Sequence, residues 1–384
     1  MKQLLLLILI TCTLCSLSAC YTRCDQPAQQ EPTQTTTTES TQNPPDQMAM
    51  IAISLPVTTE SVYSTEKEKI FDYTFQSIQL TLPDPDVADK IIIHFLKNID
   101  TTRSIANNIK AAAERDYKYP HNNTPYLCQI LFEPKRIDQN ILSLFGNLAT
   151  YSGEPHPESV QCSQTYDLTT GQSLTLRDII SGNTSADTLA NLLVESLSKR
   201  ADLYPDYEDT VRHRMSLNFK HDTAWYLSNK GLCFYFAPYE IAPYSIGIVH
   251  AEIPYEKLIG VLDNAYFPAE LEPAGGNLKI SNFNKEILNQ YSQICEVKIN
   301  NYGDKCILYT DKTVHNIQIL MSEEIQNTIY LSQALTPGDA VIVEGLDRTS
   351  PINVSVIYES NGVISKKHLA FDAISQSYTL QAGA

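Results

Sequence analysis

The stretch "KIFDYTFQSIQLTLPDPDVADKIIIHFLKNID", residues 69–100, changes its period partway along. From Lys69 to Pro83 apolar and polar residues alternate, the pattern of a half-buried strand. Asp84-Pro85 then supplies an N-cap followed by proline at the first helical position. Beyond it Ala88, Ile92, Phe95, Ile99, Ala106, Ile109 and Ala113 recur every three or four residues. That stripe predicts a long amphipathic helix, with a break expected near Asp100-Thr101-Thr102. An apolar stripe of this length needs a sheet to cover, so the chain reads as α+β.

The flanking sequence extends the reading. "PYLCQILFEP" (125–134), "NILSLFGNLATYSG" (140–153) and "ESVQCSQTYDLTTGQSLTL" (158–176) read as strands, the last turning at Thr169-Thr170-Gly171-Gln172. Ser185 opens a helix carrying Leu189, Leu192, Leu193 and Leu197, with Glu195 and Lys199 spaced as an i,i+4 pair. A shorter helix with Val211 and Met215 follows Tyr204-Pro205, then "GLCFYF" (231–236) as a core strand and "IGIVHAEI" as another. From Leu271 the texture changes, and residues 277–384 are short β-like runs broken by Pro-Gly, Asn-Gly and Asn-Tyr-Gly turns. The expected architecture is an antiparallel sheet packed by the long helix and two or three shorter ones. A separate small all-β, sandwich-like domain follows at 277–384.

The N-terminus reads differently. "MKQLLLLILITCTLCSLSAC" has one positive charge, an apolar run too short to span a bilayer, and small residues before Cys20. Leu17-Ser18-Ala19-Cys20 looks like a bacterial lipobox, which predicts a signal peptide at 1–19 and a lipid on Cys20. Residues 25–47, "DQPAQQEPTQTTTTESTQNPPDQ", have almost no apolar side chains and read as a disordered tether within 20–47. The expected location is therefore extracytoplasmic, held to a bacterial membrane by the lipid anchor alone.

Charge and cysteine content narrow the partners. The formal net charge is −16, which argues against nucleic acid and against direct adhesion to anionic lipid. It suits a cationic partner, but solubility in an extracytoplasmic space is the expected reading. Of nine cysteines, Cys24, Cys128, Cys162, Cys233, Cys295 and Cys306 remain after Cys12, Cys15 and Cys20 are set aside. Cys295 and Cys306 flank "EVKINNYGDK", a strand–turn–strand pattern that suits either a cross-strand disulfide or two buried thiols. No pair has metal-ligand spacing, and neither a metal nor a cofactor is expected. There is no G-x-S-x-G, no H-E-x-x-H and no phosphate-binding glycine loop, so no enzyme motif marks the chain. Cys162 with His156 or His250 could form a thiol–imidazole pair, but a buried thiol is the expected reading, and no pair of carboxylates among the 44 acids stands out for glycoside cleavage.

Three motifs carry a resemblance. "NLATYSGEPHPES" (147–159), "YDLTTGQSLTLRDII" (166–180) and "GLCFYFAPYEIAPYSIG...IPYEKL" (231–258) stand in this order. Together they resemble the extracytoplasmic region of RsiV-type anti-sigma factors, also the accessory region of PdaC-like peptidoglycan deacetylases. The resemblance implies an N-terminal α+β half at 60–160 and an RsiV-like sheet domain at 161–268. It also implies recognition, because RsiV-type members bind lysozyme with this region. The candidate partners are thus a lysozyme-like muramidase or peptidoglycan, bound without catalysis; an envelope hydrolase or an accessory lipoprotein of a cell-wall complex is the alternative. Two departures matter. Ser152-Gly153-Glu154-Pro155-His156 replaces the family's paired glycines, and a lipid anchor replaces its membrane helix and cytoplasmic anti-sigma segment. The candidate ligand-binding residues are Tyr151, Ser152 and His156 in one loop and Tyr239, Glu240, Pro243 and Tyr244 in the other. The Pro-Tyr loop also suits such a task physically: proline stiffens the backbone, and tyrosine offers a rigid face with a polar tip.

Overall fold

The computed structural model describes residues 50–382 apart from 118–123, 222–223, 270, 272–273, 301, 322–326 and 350–351. The expected signal peptide at 1–19, the expected lipidation site Cys20, Cys24 and the expected tether at 20–47 lie outside the described residues. The described chain begins with β1 (Ala52–Ser54), β2 (Val57–Tyr63), β3 (Lys69–Gln76) and β4 (Gln79–Thr81), followed by helix α1 (Pro85–Asp116). Asp84 caps α1, accepting from the backbone N–H groups of Asp86 and Val87, and proline occupies the first turn. The buried stripe runs through Ile91 rather than Ile92, with Phe95, Ile99, Ala106, Ile109 and Ala113 in line. The helix does not break at Asp100–Thr102. The hydroxyls of Thr101 and Thr102 donate to the carbonyls of Lys97 and Ile99, so both are satisfied inside the helix.

α1 covers one face of a five-stranded sheet. β5 (Tyr126–Ile137), β6 (Ile141–Tyr151) and β7 (Glu158–Asp167) complete it in the order β2-β3-β5-β6-β7. Its pairings are antiparallel except β3–β5, where the helical crossover returns the chain parallel. Phe95, Phe132, Leu144 and Tyr166 sit in the core between helix and sheet. Gly146 has a packing reason: a Cβ there would meet the Phe132 ring at 2.6 Å and the Cys162 sulfur at 2.8 Å.

A second layer follows. α2 (Leu176–Ile179), α3 (Ala186–Leu197) and α4 (Tyr207–His221) precede the antiparallel sheet β8 (Trp225–Leu227), β9 (Gly231–Phe236) and β10 (Val249–Pro254). Leu189, Leu193, Val211, Met215, Trp225, Phe234 and Phe236 share its core. Ser185 caps α3 through the N–H of Thr188. The expected Glu195–Lys199 pair gives way to another. α3 ends at Leu197, and the Glu195 carboxylate takes the Lys257 ammonium at 2.5 Å instead.

The C-terminal region is β-rich, as its turn spacing predicts. β11 (Leu278–Asn282), α5 (Lys285–Leu288), β12 (Gln293–Lys298), β13 (Asp304–Thr310), β14 (Val314–Met321), β15 (Asn327–Leu335), β16 (Asp339–Leu346), β17 (Val354–Ser360), β18 (Val363–Asp372) and β19 (Ser377–Ala382) make it up. They form a four-stranded sheet, β11-β13-β16-β12, and a seven-stranded one, β19-β18-β17-β14-β15-β1-β4. Two strands of the larger sheet thus come from the beginning of the described chain. β1 lies between β15 and β4 with Ala52 and Ile53 fully buried. Ile53 packs into the helix-covered core while Ala52 packs into the C-terminal one.

The cross-strand disulfide is corrected by this topology. Cys295 on β12 and Cys306 on β13 are both buried free thiols. β12 and β13 are not neighbours, because β16 lies between them, pairing Cys295 with Val341 and Cys306 with Val343. The two sulfurs are therefore held one strand too far apart to bond.

Candidate functional site

β9, "GLCFYF", is buried along its whole length, and the chain leaves it through a tight turn. The Glu240 N–H donates to the Ala237 carbonyl at 3.0 Å, with Pro238 and Tyr239 between them. Tyr239 has φ +71°, the left-handed region that such a turn usually reserves for glycine at this position. A side chain there costs about 1 kcal/mol. Two contacts hold it in place. The Glu240 carboxylate accepts the Ala237 N–H at 2.9 Å. It also takes a two-pronged pair from Arg214 of α4, Nε at 2.7 Å and Nη2 at 2.6 Å.

The next two residues anchor the loop, since Ile241 and Ala242 are buried in the second core. Pro243 then starts a single 3₁₀ turn, Tyr244–Ile246, which Gly247 ends at φ +73°. Buried anchors in the middle leave the tyrosines on either side facing out. Tyr239 is 67% exposed and Tyr244 47%, with ring centroids 5.2 Å apart and planes 30° from parallel. Large aromatic side chains this open on a folded surface are the kind that partners bury.

The other candidate loop reaches the same place. Between β6 and β7 the N–H and hydroxyl of Ser152 donate to the Glu154 carboxylate at 2.9 and 2.7 Å. Burial pushes the Glu154 carboxyl up, but these bonds outweigh it and leave the group below its ordinary range. Gly153 has φ +102°, and a Cβ there would stand 2.9 Å from the Tyr126 hydroxyl. The turn delivers His156 to the surface with its ring 6.1 Å from that of Tyr244.

Tyr239, Tyr244 and His156 therefore form one aromatic ridge, with exposed Pro243 beside it. The remaining candidates do other work. Tyr151 is half-buried and meets the Tyr126 ring edge-on at 5.9 Å. Ser152 is committed to Glu154, and Glu240 to Arg214 and the turn. Arg214 escapes sequence reading because its partner is 26 residues away. The helical register of α4, which points Arg214 and the buried Met215 in different directions, is the one signal that could have raised it.

A second aromatic group gathers around Phe145. Phe145 of β6 meets the rings of Tyr226, Tyr235 and His250 at 5.6, 5.1 and 5.0 Å. The Lys135 ammonium stands 5.6 Å over Phe145 and 2.6 Å from the Glu133 carboxylate. Cys233 belongs to this group, and burial pushes its thiol up to about 12, which keeps it protonated. The thiol–imidazole arrangement finds no support in the placement of its members. The Cys162 sulfur packs near Phe132 and Gly146, whereas His156 is against Tyr244 and His250 accompanies Phe145. Among the described residues no three His, Cys, Asp or Glu side chains gather as a metal-binding group, and no helix is long and apolar enough to cross a membrane.

No curated protein matches the chain. Among solved structures, a DUF3298 family member from Bacteroides fragilis is 19% identical, with a TM-score of 0.42, over 57% of this chain and 96% of that one. A DUF3298 family protein from Pseudomonas aeruginosa is 14% identical, with a TM-score of 0.37, over 56% of this chain and 98% of that one. The matched family segment, Arg177 to Glu256, takes in α3, α4 and β8 to β10 together with Arg214, Tyr239, Glu240, Pro243 and Tyr244, while Tyr151, Ser152 and His156 precede it. Residues 177–256 match the family described as "Protein of unknown function (DUF3298)".

Proposed function

We propose that the chain is a non-enzymatic recognition protein of the bacterial envelope, lipid-anchored through Cys20, which captures a cationic muramidase of the lysozyme kind on the Tyr239–Tyr244–His156 ridge. One observation carries the reading: Tyr239 is held in a left-handed conformation by the Arg214–Glu240 clamp, exposed and against Tyr244. A strained and open aromatic residue has no stabilising role of its own, and clusters of such strain belong to binding sites. Preorganisation lowers the entropy lost on binding. The net charge of −16 would steer a basic partner, at rates that fall with salt. The resemblance of the two loops to the RsiV-type region supports the same class of ligand.

Residues 49–384 form one compact unit and suit a calorimetric titration with lysozyme at two salt concentrations. The reading expects sub-micromolar, salt-weakened binding that falls at least ~30-fold in Tyr239→Ala/Tyr244→Ala, the loss of about 2 kcal/mol typical of a hot spot. Undiminished binding by the double variant would move the site elsewhere. Absent lysozyme binding together with retention on purified peptidoglycan would transfer the role to the cell wall.

A further inference from the structure

Among the described residues, Ser54 Oγ and Asp339 Oδ1 are buried polar atoms without a hydrogen-bond partner near one seam, where β1 enters the C-terminal sandwich. Ser54 stands opposite Tyr330, and Ala52 opposite Ser332, in the β1–β15 ladder. The Ser332 hydroxyl donates to the Ile51 carbonyl at 2.9 Å and the Ala334 carbonyl at 2.8 Å. Gln293, opposite Asp339 in the β12–β16 ladder, accepts the Met50 N–H at 2.7 Å. Gln293, which holds the backbone of Met50, thus stands directly opposite Asp339.

That carboxyl is fully buried and half satisfied. Oδ2 accepts the N–H and hydroxyl of Thr336, each at 2.8 Å, and Oδ1 accepts nothing among the described residues. The titratable groups buried in the core that these strands share are Cys295, Cys306, Tyr330, Tyr358 and Tyr378, all of them acids, while Glu296 and Lys298 of β12 are exposed. Among the described residues no lysine, arginine or histidine bears on Asp339. As a carboxylate it would be a buried charge without a counter-ion, which proteins avoid by neutralising the group. Burial pushes Asp339 above its ordinary 3.8, against the opposing pull of the Thr336 bonds.

We propose that the buried Asp339 carboxyl holds its proton more tightly in the folded state than an exposed carboxyl does, and that losing it releases β1 from the sandwich, so that protons govern the docking of the N-terminal strand. β1 is the element to go because it is three residues long and its departure lets water reach the carboxyl. The sign follows from linkage. A raised folded-state value gives stability that is complete below the ordinary 3.8 and is lost as pH rises through the folded value. Between the two, the opening equilibrium grows up to tenfold per pH unit, and above the folded value it levels off.

Hydrogen exchange of the Ile51 to Leu55 amides in the full chain, corrected for intrinsic rates between pH 4 and 8, tests this. Wild type is expected to open more as pH rises, and Asp339→Asn to show no such dependence. A flat wild-type profile, or an equal rise in Asp339→Asn, would overturn the proposal. Should Asp339→Asn fail to fold, a carbon-13 titration of the wild-type Asp339 carboxyl decides the matter. A midpoint above 3.8 supports the proton, and one at or below 3.8 removes it.

Discussion

Tyr239 shows how one residue can serve a surface at the expense of the fold. Its φ of +71° suits glycine, and the Arg214–Glu240 clamp keeps it there. Tyr239→Gly is therefore expected to raise stability by about 1 kcal/mol in urea unfolding while weakening capture of the ligand. A loss of stability would show that the ring's contact with Tyr244 outweighs the backbone strain. Arg136 makes the opposite case. It is fully buried, donating to Asp138 at 2.5 Å and to the Tyr255 hydroxyl and Tyr266 carbonyl at 2.6 Å each. In sequence Arg136 and Asp138 look like an ordinary surface pair. A β-bulge between Pro134 and Arg136 turns the guanidinium inward, and a bulge leaves no mark in residue types.

At the scale of elements, local signals did well where the chain settles its own needs. The Asp84-Pro85 cap, the Ser185 cap and the buried β9 strand follow from chemistry within a few residues. Signals failed where a partner came from farther along. Glu195 pairs with Lys257, and "CEVKINNYGDKC" gives two strands that flank β16 rather than one hairpin. Spacing alone cannot show an intervening strand that arrives more than thirty residues later. Residues 49–384 should accordingly melt at the same temperature with and without reductant, since no disulfide joins Cys128, Cys162, Cys233, Cys295 or Cys306 among the described residues. Their thiols should react with an aromatic disulfide reagent only as the protein unfolds. A reductant-dependent melting temperature would show that a bridge forms after all.

For the whole molecule the decisive feature is β1. Residues 50–55, "MIAISL", are buried throughout, yet they lie just after a polar tract and ahead of an exposed strand. Because Ile53 serves one core and Ala52 the other, both should be lost together. Ile53→Ala is expected to cost about 2–5 kcal/mol and to leave one calorimetric transition for residues 49–384. Two separated transitions would mean that the C-terminal sandwich stands without the strand. By itself the sequence determined the α+β class, the long capped helix, the β-rich C-terminal region and the two loops worth testing. Each of these rests on periodicity, capping or turn chemistry within one segment. Only the tertiary structure decided that His156 meets Tyr244, that Arg214 clamps Glu240 and that β1 completes a sheet nearly 300 residues away. These pairings minimise buried unpaired polar groups and exposed apolar area over the entire chain, a balance no short stretch can express.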